Sequence, residues 1–113
     1  MRPEAAKLLW DAREAARLAL TFVGKRSLDD YLADPMLRSA VERQLAIIGE
    51  ALGKLRALDA NAASHLPEHA RIIAFRNVLV HGYATVDDRL VWGIVATLLP
   101  GLRDTIATLL PDD

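Results

Sequence analysis

Four polar residues able to do chemistry lie within eight positions of this chain: Arg76, Asn77, His81 and Tyr83. An Arg guanidinium can hold a phosphate through two parallel hydrogen bonds. A His imidazole titrates near neutral pH and can take or give a proton. A fixed cation beside a proton-transfer group suits the cleavage of a phosphodiester, so this segment predicts a small nuclease site.

The spacing within this segment leaves two interpretations open. Arg76 and His81 are five positions apart, or about 140° around an ideal helix, and do not share a face. Asn77 and His81 are four apart and do share one. Arg76 and His81 can meet at one phosphate only if the helix end is distorted, or if two copies of the chain meet across a two-fold axis. The alternative is a structural Arg followed by a His that is favoured at a helix C-terminus.

Helices must position these residues, because apolar residues recur at spacings of three and four and no segment alternates as a strand does. The chain is predicted to be a single all-α domain over residues 1–113, an antiparallel four-helix bundle with one short extra helix. Residues 61–65 are predicted to be a loop, and Pro100–Gly101 is predicted to bend or break the last helix. The predicted helices run from Pro3 to Val23, Leu28 to Ala33, Pro35 to about Leu58, Pro67 to His81–Gly82, and Thr85 or Asp87 to about Leu110.

Composition narrows the classes of function. The chain has 113 residues, no Cys and a net charge of −1. Disulfides, thiolate zinc sites and a Cys nucleophile are therefore excluded, and a large basic nucleic-acid surface is not expected. The N-terminus does not resemble a signal peptide, and no apolar run is expected to approach the ~20 residues that span a bilayer. A cytoplasmic protein without a membrane partner, a cofactor or a bound metal is expected.

Three blocks of sequence, in order, resemble the HepT-like HEPN family, the toxin members of bacterial toxin–antitoxin pairs. They are VERQLAIIGEA at 41–51, FRNVLVHGY at 75–83, and DDRLVW at 87–92 followed by LLPGL at 98–102. The resemblance spans roughly residues 5 to 110.

This resemblance implies a homodimeric helical bundle that acts as a metal-independent endoribonuclease on RNA, with the two copies of the motif lining a cleft between subunits. By matching position, Arg76 and His81 would be catalytic and Asn77 their polar neighbour. Tyr83 would be the residue to which a nucleotidyltransferase antitoxin adds AMP. The alternatives are a non-catalytic helical dimer that serves as target or binding subunit of such a nucleotidyltransferase, and a purely structural dimer.

Several residues outside the motif have more than one interpretation. The small residues Ala46, Gly49 and Gly53 would let another helix approach closely, either within the bundle or at a dimer interface. Glu50 could orient Arg76 or His81 if it is buried near them. Other side chains are expected to have ordinary structural or surface roles, with a functional role as the alternative: Trp10, Trp92, Arg38, Glu42, Arg43, Arg71, and the pair His65 and His69.

Overall fold

The helices of this chain begin and end at residues whose backbone chemistry fits a helix terminus. In the computed structural model, which describes residues 1–111, Gly24 ends the first helix with φ of 53°, a conformation in which other residues are strained. Ser27 and Asp30 form a reciprocal capping box at the second helix. Asp34 caps the third helix, and Pro35 occupies its first turn, where a missing N–H has no cost. The elements are α1 (Pro3–Val23), α2 (Leu28–Ala33), α3 (Pro35–Leu58), α4 (Ala60–Ser64), α5 (His69–His81), a 3-10 turn (Tyr83–Thr85), α6 (Asp88–Gly93), a π-helical turn (Ile94–Leu98) and α7 (Leu99–Leu109).

The fold is the all-α, antiparallel bundle predicted from the sequence. Helix α3 lies at its centre, between α1 on one side and α5 on the other, and α1 also packs against α7. The core between them is aliphatic, and among the described residues no polar or charged residue is buried apart from Tyr31. Among residues 1–111, α5 packs mainly on α3, and the opposite side of α5 carries exposed residues.

Two boundaries in the middle of the chain differ from the prediction. Residues 61–65 were expected to be a loop, but Ala60–Ser64 is a short helix whose first turn is capped by the Asp59 carboxylate. The bundle therefore has two short helices rather than one. The fourth main helix begins at His69 rather than at Pro67, because Glu68 adopts a left-handed conformation with φ of 59° that a right-handed helix excludes.

The predicted reason for the end of α5 is wrong, although its position is right. Gly82 has φ of −118°, so the helix does not end through a left-handed glycine. Instead the chain tightens into the 3-10 turn. A Cβ at Gly82 would lie 3.2 Å from the Val78 carbonyl oxygen and 3.4 Å from Thr85 Oγ1. Close packing in this turn is therefore what favours glycine here.

Pro100–Gly101, which was expected to bend or break the last helix, does not break it. Proline lacks the N–H that would bond four residues back, and its ring crowds the carbonyl at that position. The π-helical turn just before it, in which the Leu99 N–H reaches the Ile94 carbonyl, widens the helix at that point. The chain therefore stays helical from Asp88 to Leu109.

This continuous segment, Asp88–Leu109, is apolar enough by length and composition to cross a membrane, with a mean hydropathy of 1.3. The expectation that no segment would approach that length is therefore wrong for this segment. A core helix of a soluble protein meets the same criterion, and Leu99, Leu102 and Ile106 are fully buried in the bundle.

A polar cluster joins the start of α6 to α2 and α3. Arg38 on α3 donates to the carbonyl of Leu32 at the end of α2, and its Nε lies 3.6 Å from a carboxylate oxygen of Asp88. Burial raises the pKa of the neighbouring Glu42, and the Asp88 carboxylate raises it further. Tyr31 is fully buried here against Trp92, and its hydroxyl has no hydrogen-bond partner among the described residues. This cluster fixes the position of α6, the helix that follows the motif of residues 76–83.

Candidate active site

Arg76 is held against α3 by an unusually close crossing of two helices. A Cβ added at Gly49 would lie 2.4 Å from the Cβ of Arg76 and 3.2 Å from the Ile72 carbonyl oxygen. Only a glycine fits at such a distance. Gly53, one turn later on α3, faces Ile73 at the ordinary distance of 3.8 Å. The small-residue stripe of α3 therefore serves a contact within the bundle, and Gly49 fixes the backbone of Arg76.

The structure does not bring Arg76 and His81 together within one chain. Helix α5 is regular through His81, so the helix-end distortion that could have joined them is absent from the described residues. The two residues stay about 140° apart around the helix. Asn77 and His81 do share a face, and both are exposed. A site that combines Arg76 and His81 within one chain required a distorted helix end, so such a site is not formed.

The motif side chains are free to meet a ligand. Among residues 1–111, no side-chain hydrogen bond or ion pair to protein engages Arg76, Asn77, His81 or Tyr83 within the usual distance limits. Arg76 is half-buried, whereas His81 is exposed in the last turn of α5. Their polar groups therefore keep their full capacity to bind or react.

The two tyrosines of the chain differ sharply in exposure. Tyr83 lies in the 3-10 turn directly after α5 and is 77% exposed. Tyr31 is 0% exposed beneath Trp92. Any enzyme that modifies a tyrosine of the folded chain can reach Tyr83 and not Tyr31.

A shallow depression lies between α3 and α5 beside the Arg76 contact. Helix α3 contributes Gly49, Glu50, Gly53 and Lys54 to its lining, and α5 contributes Ile73, Arg76 and Asn77. Its volume is about 290 Å³. Glu50 and Lys54 also line a second groove of about 320 Å³ between α1 and α3, at whose edge Trp10 is 47% exposed. The depression thus gathers two cations, a carboxamide and a carboxylate around a floor that is largely glycine.

The outward face of α5 is formed mainly by small apolar side chains. Ala70, Ala74 and Val78 recur every four residues and are exposed, and Asn77 and His81 lie beside them. Nothing in residues 1–111 covers this face. A second helix could approach it closely and would then lie next to His81.

The other candidate residues have mostly structural surroundings. Trp92 packs on Tyr31, and Arg71 pairs with Glu68 at 3.5 Å. Glu50 is exposed and lies near Arg76 rather than His81. His69 contacts the Leu66 carbonyl through Nδ1. Within residues 1–111, no cluster of three or more His, Cys, Asp or Glu residues could hold a metal.

Sequence reasoning missed Lys54 and the specific partnership of Gly49 with Arg76. Gly49 and Gly53 were recognised as a small-residue stripe, but the stripe does not say which residue it meets. Lys54 follows Gly53 directly and, by helical geometry, flanks the same face. That adjacency was the available signal for Lys54, whereas no local pattern shows which residue Gly49 meets.

Replacing Gly49 with alanine should destabilise the bundle, whereas the same change at Gly53 should not. Both changes gain up to about 1 kcal/mol in helix propensity. At Gly49 the new methyl group overlaps Arg76, and overpacking of this kind costs about 1–3 kcal/mol or pushes α5 away from α3. Urea unfolding of Gly49→Ala beside Gly53→Ala measures the difference. Equal stability of the two variants would contradict the close crossing.

Comparison with known protein families identifies one family that matches this chain. Residues 12–109 match the family model described as Ribonuclease HepT-like. The chain is 29% identical over 98 residues to "Putative RNase MJ1380" of Methanocaldococcus jannaschii, covering 87% of this chain and 89% of that protein. It is 34% identical over 97 residues to "Probable ribonuclease HepT" of Thermococcus cleftensis, covering 84% and 86%.

A third relative, "Putative RNase TTE0752" of Caldanaerobacter subterraneus, is 32% identical over 84 residues, which are 74% of each chain. No solved structure matches the chain. The relatives are largely archaeal, so the similarity is not confined to bacteria.

Proposed function

This chain belongs to the ribonuclease HepT-like family, and we propose that it is a metal-independent endoribonuclease in which Arg76 and His81 cleave RNA. The proposal rests on the position of these two side chains and on their lack of other partners in the described chain. Arg76 has a backbone fixed by Gly49, His81 is exposed in the last turn of the same helix, and neither is engaged elsewhere in residues 1–111. A permanently charged cation and an accessible base are what the reaction needs.

The proposed chemistry is an internal transfer within RNA. His81 removes the proton from a ribose 2′-OH, and that oxygen attacks the adjacent phosphorus. Arg76 stabilises the negative charge that develops on the phosphoryl oxygens. The bond from phosphorus to the 5′ oxygen breaks, and this oxygen takes a proton from solvent. The products are a 2′,3′-cyclic phosphate and a 5′-OH end.

The test is an assay with matched RNA and DNA strands. Purified chain should cleave single-stranded RNA in the presence of EDTA, since the motif itself supplies both base and cation. The new ends should carry a cyclic phosphate. DNA of the same sequence should resist, because it lacks the attacking 2′-OH. Cleavage of both strands at similar rates, or loss of cleavage on chelation, would contradict the mechanism.

We also propose that the active species is a homodimer joined through the outward face of α5. The exposed stripe of Ala70, Ala74 and Val78 is apolar and small enough for a second α5 to pack closely. A two-fold axis there pairs the same face of both chains. Because Arg76 and His81 diverge on one helix, the complete site would combine Arg76 of one protomer with His81 of the partner subunit. Arg76 would reach the interface along the edge of α5 where it and Asn77 line the depression.

We propose that the chain is a cytoplasmic toxin whose antitoxin, a nucleotidyltransferase, silences it by adding AMP to Tyr83. The phenol is exposed on the turn that follows His81. A phosphate attached there would compete with RNA for Arg76 by charge and would occupy space at the rim of the site.

Co-expression with such a partner should add about 329 Da to the chain for each AMP, on a peptide that contains Tyr83. Tyr83→Phe should fold normally, because an exposed hydroxyl is all that it loses, and it should escape both the adduct and the silencing. Peptide mass spectrometry reads the site, and Tyr31 serves as the internal control because it is buried. An adduct on Tyr31, or silencing of Tyr83→Phe, would overturn the assignment.

Two observations favour a second function. A single chain lacks a converged site and carries a net charge of −1, as would suit a non-catalytic helical dimer that serves as target or binding subunit for a nucleotidyltransferase. In that case Tyr83 would matter more than His81. Growth arrest by the wild-type chain, relieved by His81→Ala, separates the enzyme from this alternative.

A further inference from the structure

We propose that the depression between α3 and α5 is a subsite for the nucleotide that flanks the scissile bond, and that Lys54 binds its phosphate. This inference deepens the proposed ribonuclease function and rests on it. The occupant follows from the chemistry of the lining: two cations, Lys54 and Arg76, and the Asn77 carboxamide surround one shallow space.

The Lys54 ammonium can exchange its present partner for a phosphate. Its Nζ lies 3.4 Å from a Glu50 carboxylate oxygen, in a pair where the two side chains are 65% and 52% exposed. Such a solvent-exposed pair contributes little to stability. An RNA phosphodiester carries one negative charge and two unesterified oxygens, as the carboxylate does, so Lys54 can turn from Glu50 to the phosphate at little cost. Glu50 therefore holds Lys54 at the edge of the depression without blocking RNA.

The floor of the depression suits a ribose and a base. Gly53 leaves the surface of α3 without a side chain, Gly49 lies beneath Arg76, and Ile73 forms an apolar wall. The volume of about 290 Å³ is at the lower limit of small-molecule sites, near ~300 Å³. It can accept one nucleotide and is too small to seat a helix.

The subsite ends at Lys54. Beyond it, the groove between α1 and α3 is lined by the carboxylates of Asp11, Glu14 and Glu50, and Lys54 is the cation among its lining side chains in the described chain. Asp11 and Glu14 there are paired with Lys7 and Arg17, so the described lining of this groove offers a second flanking phosphate no cation beyond Lys54. The subsite therefore binds one phosphate beyond the scissile one.

Substrate length tests this inference directly. A dinucleoside monophosphate carries the scissile phosphate alone, and a trinucleotide adds one flanking phosphate. Lys54→Gln should raise KM for the trinucleotide roughly 3- to 10-fold, leave kcat unchanged, and leave the dinucleotide unaffected. The slope of log affinity against log salt for a longer single strand should fall by about 0.7, the value for one lost phosphate contact.

Arg56→Gln is the matched control, because Arg56 is an exposed cation on the same helix that lines neither groove. Equal KM values for wild type and Lys54→Gln, or an equal effect of Arg56→Gln, would overturn the subsite.

If the wild-type chain cleaves neither substrate, the ribonuclease proposal itself fails. Fluorescence anisotropy with 2′-deoxy di- and trinucleotides, which cannot react, then decides the subsite separately. Tighter binding of the trinucleotide that Lys54→Gln abolishes supports it, and length-independent binding refutes it.

Discussion

Replacing either His81 or Arg76 with alanine is expected to abolish RNA cleavage while the helical bundle stays intact. Loss of a positioned base lowers rates by ~10²–10⁴-fold, and loss of a group that stabilises transition-state charge by ~10²–10³-fold. His81 is exposed and makes no packing contact that the bundle needs. Arg76→Ala keeps the Cβ that meets Gly49, so the helix crossing is preserved.

Two matched variants control for general effects of removing a cation or an imidazole. Arg71→Ala removes an exposed Arg one turn earlier on α5, and His65→Ala removes an exposed His outside it. Both should retain wild-type cleavage, and circular dichroism should be unchanged throughout. Full activity of purified His81→Ala would remove His81 as the base. Retained activity in Arg76→Lys would show that any cation suffices, against the bidentate role proposed for the guanidinium.

The second large effect is recovery of activity when the two dead variants are mixed. Equal amounts of Arg76→Ala and His81→Ala, allowed to exchange subunits, form mixed dimers in half of the population. If Arg76 and His81 act from opposite chains, each mixed dimer has one complete site of its two. Activity should therefore return to about a quarter of the wild-type value.

The opposite result has an equally clear meaning. If Arg76 and His81 act from the same chain, no site in a mixed dimer is complete, and the mixture stays inactive. Sedimentation must show a dimer of about twice 12.4 kDa for each variant before mixing. A monomer at micromolar concentration would remove the composite site.

The sequence predicted the long helices well because their signals are local. Pro35, Asp34 and Gly24 act within one turn of their own position, and apolar spacing needs only the helix itself. The short helix Ala60–Ser64 was missed because five residues carry too little periodicity to be recognised. The π-helical turn before Pro100 was missed because it depends on tertiary packing in the bundle, which keeps the helix continuous through the proline.

The sequence identified which residues belong to the candidate site, but not how they are arranged in space. Arg76, Asn77, His81 and Tyr83 are adjacent in sequence, so composition and spacing were enough to single them out. The closeness of Gly49 to Arg76 joins residues 27 positions apart in the chain, and no local pattern encodes that pairing.

The divergence of Arg76 and His81 around α5 has a consequence for how activity depends on dose. If neither chain holds a complete site, each new molecule is harmless until it meets a second one. Below the dissociation constant of the dimer, the rate of RNA cleavage then rises with the square of chain concentration. A tenfold drop in synthesis would lower the damage about a hundredfold. Leaky expression would thus be tolerated without an inhibitor, and harm would begin only past a threshold of accumulation.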